Sequence, residues 1–262
     1  MEGQLIPPME TLQSMEWWAY LGGVLGIFVV LSAILIFPRI GAVQTVAIPI
    51  FGQMIMGLLI DYFGLFGIDA IPLSPINLLG VVILSIGLLL AVVLPDYFEK
   101  KQLERVENNG ITGINKLFWQ LIALISGFCM AIQPAINGHL GVGISSSVQA
   151  ALISFFIGTA LLILINIILG ELPNIKHVFT EKAPWWFYLG GFLGALYVFF
   201  SIILTPEIGA GAFVILGLIG QMIISLLIDN FGLLGSKKRK VSMIQIIGLM
   251  VILAGAVIIK LL

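Results

Sequence analysis

Residues 17–67 read WWAYLGGVLGIFVVLSAILIFPRIGAVQTVAIPIFGQMIMGLLIDYFGLFG, and residues 185–235 read WWFYLGGFLGALYVFFSIILTPEIGAGAFVILGLIGQMIISLLIDNFGLLG. The two stretches align without a gap at an offset of 168 residues, and 27 of the 51 aligned pairs are identical. The identical pairs include tryptophans, glycines, a proline and an aspartate, so they are not the chance agreement of two aliphatic runs. The register continues more weakly to Gly87 and Gly255. The sequence therefore contains an internal repeat, and this repeat decides the fold.

The composition indicates a chain that lies in a lipid bilayer. Hydrophobic residues fill 60% of the 262 positions and charged residues only 10%, whereas soluble domains carry about 25% charged residues. The mean hydropathy is +1.16 and the net charge is −1. A soluble enzyme, a nucleic-acid-binding protein and a disordered chain are disfavoured, because so apolar a surface would aggregate in water. One cysteine, Cys129, and two scattered histidines, His139 and His177, predict no disulfide and no metal site.

Eight apolar stretches are long enough to cross a bilayer as helices, which takes about 20 residues each. They lack the polar–apolar alternation of a membrane β-barrel. The predicted fold class is therefore an all-α integral membrane protein, a multi-span helical bundle. The predicted spans are 17–37, 41–63, 75–95, 117–137, 147–169, 185–204, 209–231 and 242–262.

The repeat and the span count together predict that the two copies cross the membrane in opposite directions. Span 1 is equivalent to span 6, span 2 to span 7 and span 3 to span 8, and an offset of five spans is odd. The loop charges agree, because Arg39 aligns with Glu207 and Asp69 aligns with Lys237. Inverted repeats of this kind are typical of secondary transporters, which expose one central site to alternate sides of the membrane.

The positive charges predict how the chain is oriented. With eight spans, the loops after spans 1, 3, 5 and 7 lie on one side and carry 11 of the 12 lysines and arginines. Loops rich in lysine and arginine stay in the cytoplasm. We therefore expect a multi-pass protein of the plasma membrane with both termini outside.

The two copies differ in length ahead of their Trp-Trp pairs. The second copy has two spans there, and the first has only sixteen residues. We therefore expect residues 1–95 to form a truncated first repeat of three helices, residues 96–116 a charged cytoplasmic linker, and residues 117–262 a complete second repeat of five helices. A misplaced start, a true truncation and a partner chain that supplies the missing helices all remain open.

Several motifs resemble the YdcZ-like family of the drug/metabolite transporter superfamily, in its fused two-repeat bacterial form. They are AIQPAINGHLG at 131–141, SFFIG at 154–158, WW with YLGG at 185–191, and GQM at 220–222 running into DNFG at 229–232. The second copy matches over its whole length, and the first matches in its three helices. The resemblance implies a bacterial membrane exporter that is not an enzyme.

Neutral polar side chains inside the spans are the candidates for lining a substrate cavity. Gln133 and Asn137 share one helix face beside Pro134, and Gln53 and Gln221 are mid-span equivalents in the two copies. An amide in lipid is costly, so these faces should point towards protein or a water-filled cavity. The alternative is that they are hydrogen-bonding contacts between helices. The full set of candidates, in which Ser154 rests on the family resemblance, is Tyr20, Gln53, Gln133, Asn137, Ser154, Tyr188 and Gln221.

Two equivalent aspartates, Asp61 and Asp229, each lie one turn before a glycine, Gly64 or Gly232, that is typical of a helix C-terminus. A carboxylate at the negative end of a helix is unfavourable, so a compensating partner is expected. One hypothesis makes this pair a gate or an ion-coupling site. The other makes each a solvated helix end, or a salt bridge in the case of Asp229.

Two glycine pairs, Gly22 with Gly26 and Gly190 with Gly194, have the GxxxG spacing that lets helices approach closely. Since they recur at equivalent positions, we expect them to be helix-packing sites at the repeat interface.

The function that these patterns favour is secondary transport of a small organic solute by alternating access, with the bilayer and an unknown solute as partners. No cofactor is expected, and no GxxxxGK[ST] loop for nucleotide phosphates is present. The alternative is a non-transporting membrane subunit or an inactive truncated paralogue that pairs with another chain. A homo- or hetero-oligomer would then complete the missing helices.

Overall fold

The computed structural model describes residues 7–72, 74–90, 94, 114–171, 189–233 and 242–261. Within these ranges the chain is helical, with no β-strand. Residues 95–113, which are most of the predicted linker, lie outside them. The helices are α1 (Met9–Ser14), α2 (Gly22–Phe63), α3 (Pro75–Leu88), α4 (Ile114–Gly143), α5 (Ser147–Leu169), α6 (Leu189–Ile208), α7 (Ala210–Phe231) and α8 (Met243–Leu261).

Helix α2 contains the second predicted span and all but the first five residues of the first, with no loop between them. A straight helix of its 42 residues would be about 63 Å long, but its contacts show that its path reverses. Gly22 lies against Asn137, near the C-terminal end of α4. The Arg39 guanidinium lies 4.0 Å from the ring centroid of Trp119, near the other end of α4.

The chain then returns along α4 to the end at which it started. Ile48 packs with Ile36 and Ile40 beside Ala123. Just beyond α2, Gly67 contacts His139. The two halves of α2, Gly22–Ile40 and Ile48–Phe63, are therefore an antiparallel pair, as predicted for spans 1 and 2.

The part of the chain that the structure describes holds eight apolar helical segments. By length and composition, four of the described helical segments could span a membrane on their own and four are shorter apolar helices. The long ones are Gly22–Ile40, Ile114–Gly143, Ser147–Leu169 and Leu189–Ile208, and the shorter ones are Ile48–Phe63, Leu78–Leu88, Ala210–Gln221 and Met243–Gly255. The predicted all-α multi-span membrane bundle is confirmed.

The inverted repeat is visible where α3 meets its own equivalent, α8. A Cβ at Gly87 would lie 2.9 Å from the carbonyl oxygen of Gly248, and a Cβ at Gly255 would lie 2.9 Å from that of Gly80. Gly80 and Gly248 are equivalent in the repeat, and so are Gly87 and Gly255. Each contact is therefore repeated by a twofold axis, and the two helices run antiparallel. These two equivalent helices thus point in opposite directions, as predicted for span 3 and span 8.

Helix α4 is the central element, and it packs against α2, α5, α6 and α7. It begins three residues before the predicted span and ends at Gly143, six residues after it. Pro134 lies inside the helix without ending it. The extension places Gln133 and Asn137 two to three turns inside α4 instead of at its end.

Two glycines end equivalent helices in the same way. Gly64 after α2 and Gly232 after α7 have φ of 62° and 65°, and their N–H groups bond to the carbonyls of Ile60 and Ile228. Left-handed backbone of this kind favours glycine. Both predicted helix stops are confirmed.

Candidate functional site

The polar face of α4 lies against glycines of α2. Gly22 faces the amide of Asn137, and a Cβ at Gly26 would lie 2.8 Å from Nε2 of Gln133. Asn137 is 1% exposed. The first GxxxG pair therefore lies close to α4, and what it accommodates is a pair of amide side chains.

Three buried residues carry polar atoms that have no hydrogen-bond partner among the described residues. They are Oε1 of Gln53, both amide atoms of Asn137, and Oγ1 of Thr205. Gln53 is 2% exposed and Thr205 is 0% exposed. Leaving such a group unpaired costs about 1–3 kcal/mol, so atoms of this kind point to a bound molecule or water.

Thr205 lies at the same level as Asn137 and was missed in the sequence. The residues that follow each of them, Pro206 and Gly138, are in contact. A comparison of the copies would have indicated it, because Thr205 replaces Phe37 in front of an equivalent proline. The two copies therefore differ here, with a hydroxyl in one and a phenyl ring in the other. If both positions only packed against equivalent neighbours, this difference would not be expected.

The other predicted cavity residues lie in different settings. Gln133 is half-buried one turn from Asn137, and Ser154 of α5 is buried with its carbonyl oxygen against Gly23. Gln53 lies further along α4, where its neighbour Gly52 contacts Leu124. Gln133, Asn137 and Ser154 therefore surround the start of α2, and Gln53 lies apart from them.

Tyr20 is explained by local structure. It lies in the short 3-10 turn Trp17–Tyr20 before α2, and its hydroxyl donates a 2.6 Å hydrogen bond to the carbonyl of Leu12. This hydrogen bond connects α1 to the turn that precedes α2. Tyr188, its equivalent, lies outside the described residues.

Asp61 links α2 to the start of α7. Its Oδ1 accepts a 2.6 Å hydrogen bond from the N–H of Ala210, and its Oδ2 accepts a 2.7 Å bond from that of Gly211. The carboxylate is 8% exposed, so the predicted solvated helix end is wrong here. The partner expected for this charge is the positive end of another helix, where an anion is stabilised. The side chain of Asp229 lies outside the described residues.

The second copy lacks the packing seen in the first. Gln221 is exposed, although its equivalent Gln53 is buried. A Cβ at Gly190 or at Gly194 would meet nothing within 4 Å. The described residues therefore do not show the predicted close packing at this second GxxxG pair.

Near the C-terminal end of α4, two residues from Asn137 in sequence, charged and aromatic side chains form a small cluster. The His139 ring lies 4.7 Å from the Trp18 ring, and its Nε2 lies 3.1 Å from a carboxylate oxygen of Glu16. The hydrogen bond with His139 lowers the pKa of Glu16 below its ordinary value. This cluster covers the end of α4 next to the amide pair.

A small apolar void between α2, α3 and α7 has a volume of about 10 Å³ and is lined by Met54, Leu58, Val81, Leu84, Gly211, Val214 and Ile215. That volume holds at most one water molecule. The described residues contain no group of three His, Cys, Asp or Glu that could hold a metal ion.

Comparison with known proteins places these features in a family. Residues 1–90 and 118–258 match the family model described as "Putative inner membrane exporter, YdcZ". The chain is 34% identical over 79 residues to the inner membrane protein YdcZ of Escherichia coli (strain K12). That alignment covers 30% of this chain and 52% of the relative, so the chain spans about half the relative's length. No solved structure matches the chain.

Proposed function

We propose that this chain, which belongs to the YdcZ family, exports a small organic solute across the cell membrane by alternating access. The family match and the similarity to an inner membrane protein indicate a multi-pass membrane protein. The family is described as one of exporters and is not a class of enzymes. The solute class and the alternating-access mechanism are what the proposal adds.

The antiparallel crossing of α3 and α8 is the observation that carries the mechanism. Its contacts are repeated by a twofold axis at Gly80, Gly87, Gly248 and Gly255. A molecule built from two inverted halves has two conformations of similar energy, which differ in the side of the membrane that is open. Rocking one half against the other then moves a central site from one side to the other.

Neutral polar groups suggest what the site binds. Asn137 offers one acceptor and two donors, Thr205 offers a hydroxyl, and none of these atoms has a hydrogen-bond partner in the part of the chain that the structure describes. A solute with neutral hydrogen-bonding groups on an apolar body would satisfy them and would be stabilised by the apolar surroundings. No predicted span carries a charged residue near its middle, so the coupling to an ion is left open.

A ligand screen with the purified full chain tests this proposal. Neutral and amphipathic organic solutes are tested for a shift in thermal unfolding, and the stabilising ones are loaded into proteoliposomes for a flux measurement. We expect Asn137→Leu to abolish both the shift and the flux. The matched control is Asn166→Leu, because the Asn166 amide bonds to the carbonyl of Leu162 in its own helix at 2.8 Å. A solute that stabilises and crosses with Asn137→Leu as with the wild type would refute the site.

The orientation of the chain is also part of the proposal. Eight spans put both termini on the same side of the membrane. The lysines and arginines of the odd-numbered loops favour the cytoplasm for those loops, so both termini are placed outside. A short tag at Leu262 should be cleaved by protease added to intact cells with the outer membrane opened. Cleavage only in inside-out vesicles would reverse this orientation.

A non-transporting subunit remains the second candidate, and one observation supports it. The glycines of α6 have no partner helix among the described residues, as expected of a chain that pairs with another. A flux that requires no second chain would exclude this candidate.

A further inference from the structure

The first copy of the repeat presents a face that a helix pair covers. Its members are Gly22, Gly23, Gly26, Pro49, Gly52 and Gln53, and the pair is α4 with α5. Gly22 and Gly26 lie against the amides of Asn137 and Gln133, and Gly23 lies against the backbone of Ser154 and Gly158. Pro49 and Gly52 lie against Gly127 and Leu124. These contacts are close, because most of them are backbone to backbone.

In the second copy, none of the described residues covers the equivalent face. The equivalents, at an offset of 168, are Gly190, Gly191, Gly194, Gly217, Gly220 and Gln221. A Cβ at any of these five glycines would meet no atom of the described residues within 4 Å, and Gln221 is exposed. We name this set the bare face.

We propose that the bare face binds a helix pair like α4–α5, supplied by a separate membrane polypeptide of the same family. The internal copy shows what this surface accommodates, because the same residue types at the same spacing already hold such a pair. The partner needs a small residue like Gly127 opposite Gly220 and a closely approaching backbone opposite Gly191. It also needs an amide like that of Asn137 opposite Gly190 and one like that of Gln133 opposite Gly194.

A second copy of this chain fits the bare face less well. In that second copy, the α4–α5 pair already covers its own first-copy face. If the pair moved to the bare face of this chain, it would expose as many positions as it covers. Lipid fits poorly too, because Gln221 would then present an amide to hydrocarbon, which is costly. A separate helix pair covers the face without baring another.

Disulfide cross-linking of the full chain tests the proposal, with residues 114–171 of this sequence as the probe. The probe is expressed as a separate tagged polypeptide beside the full chain, both with Cys129→Ser. Gly23 lies against Gly158 in the first copy, so Gly191→Cys in the chain is paired with Gly158→Cys in the probe. The matched control is Ala254→Cys in the chain, which lies on an exposed face of α8.

We expect about tenfold more cross-linked product with Gly191→Cys than with Ala254→Cys, because docking holds the two thiols at a high effective concentration. Adding Gly194→Leu and Gly220→Leu to the chain should abolish the difference. Equal cross-linking at Gly191 and Ala254, which indicates lipid on the face, would overturn the proposal. So would a chain-to-chain disulfide as the main product, which indicates a second copy.

A second form of the probe keeps the test decisive if the separate pair fails to insert. Residues 114–171 are then fused ahead of Met1, and the same cysteine pair and control are used. This proposal does not depend on transport, since cross-linking is measured without a solute. Loss of flux with intact cross-linking would affect the proposed function alone.

Discussion

The amide of Asn137 is buried, and none of the described residues forms a hydrogen bond with either of its polar atoms. Replacing such a group by an apolar one of similar size is neutral or stabilising, whereas removing a made hydrogen bond destabilises. We therefore expect Asn137→Leu to raise the free energy of unfolding in detergent, by about 1 kcal/mol. Urea unfolding followed by tryptophan fluorescence measures the change. A loss of stability would instead identify Asn137 as a hydrogen-bonding contact between helices.

Asp61 has the opposite character, because both of its oxygens are paired with backbone N–H groups at the start of α7. Asp61→Asn keeps one acceptor, turns an NH₂ group towards the other N–H and removes the charge. We expect it to lower the free energy of unfolding by about 2 kcal/mol, the scale of one charge-assisted bond. Asp69→Asn is the matched control, because Asp69 is exposed in the following loop. Equal stability of the two variants would show that the Asp61 contact contributes nothing.

Asp61 shows which part of a residue's environment can be predicted from the sequence and which part cannot. The spacing of Asp61 to Gly64 predicted a carboxylate at a helix C-terminus that needs a compensating partner, but it did not predict that the carboxylate is buried. The partner is the first turn of α7, 149 residues later. A long-range partner of this kind leaves no local pattern in the sequence.

The crossing of α3 and α8 is the contact between elements that depends most on glycine. A Cβ at Gly87 would lie 2.7 Å from the backbone nitrogen of Ile252, and one at Gly255 would lie 2.8 Å from that of Leu84. We expect Gly87→Ala and Gly255→Ala each to destabilise by about 1–3 kcal/mol, because the helices must separate. Ala254→Val, on an exposed position of α8, is the control. The symmetry also requires the two glycine variants to lose similar amounts, and a large effect of only one would argue against it.

The predicted spans match the helices well where a neighbouring residue in the sequence caps the helix end. Ser147–Leu169 has the predicted bounds, and its N-cap Ser146 accepts a hydrogen bond from the N–H of Gln149. The prediction was poorer at α4, because the predicted span ends at residue 137 and the helix continues to Gly143. Tertiary contacts with α2 and α6 support that last part of α4, and the local sequence does not encode them.

At the scale of the whole molecule, the repeat predicted more than the individual residues did. The offset of 168 residues and the odd number of spans required antiparallel equivalent helices, and α3 and α8 are such a pair. What the repeat did not predict is the difference between the copies, with Gln53 buried and Gln221 exposed. That difference follows from which face α4 and α5 cover, and one sequence with two copies does not contain that choice.

The inverted arrangement of the two copies is the claim on which alternating access depends, and it can be measured without knowing the solute. Phe63 and Phe231 are equivalent helix ends and are 62% and 61% exposed. Asp61 holds the start of α7 beside the end of α2, so Phe231 lies the length of α7 away, about 32 Å.

Labelling with a membrane-impermeant maleimide therefore gives the most direct test. Phe63→Cys and Phe231→Cys are made separately with Cys129→Ser and are labelled in right-side-out and inside-out vesicles. The inverted repeat predicts that each cysteine reacts in only one kind of vesicle, and that the two react in opposite kinds. Reaction of both in the same kind of vesicle would contradict the inverted repeat and would remove the basis for alternating access.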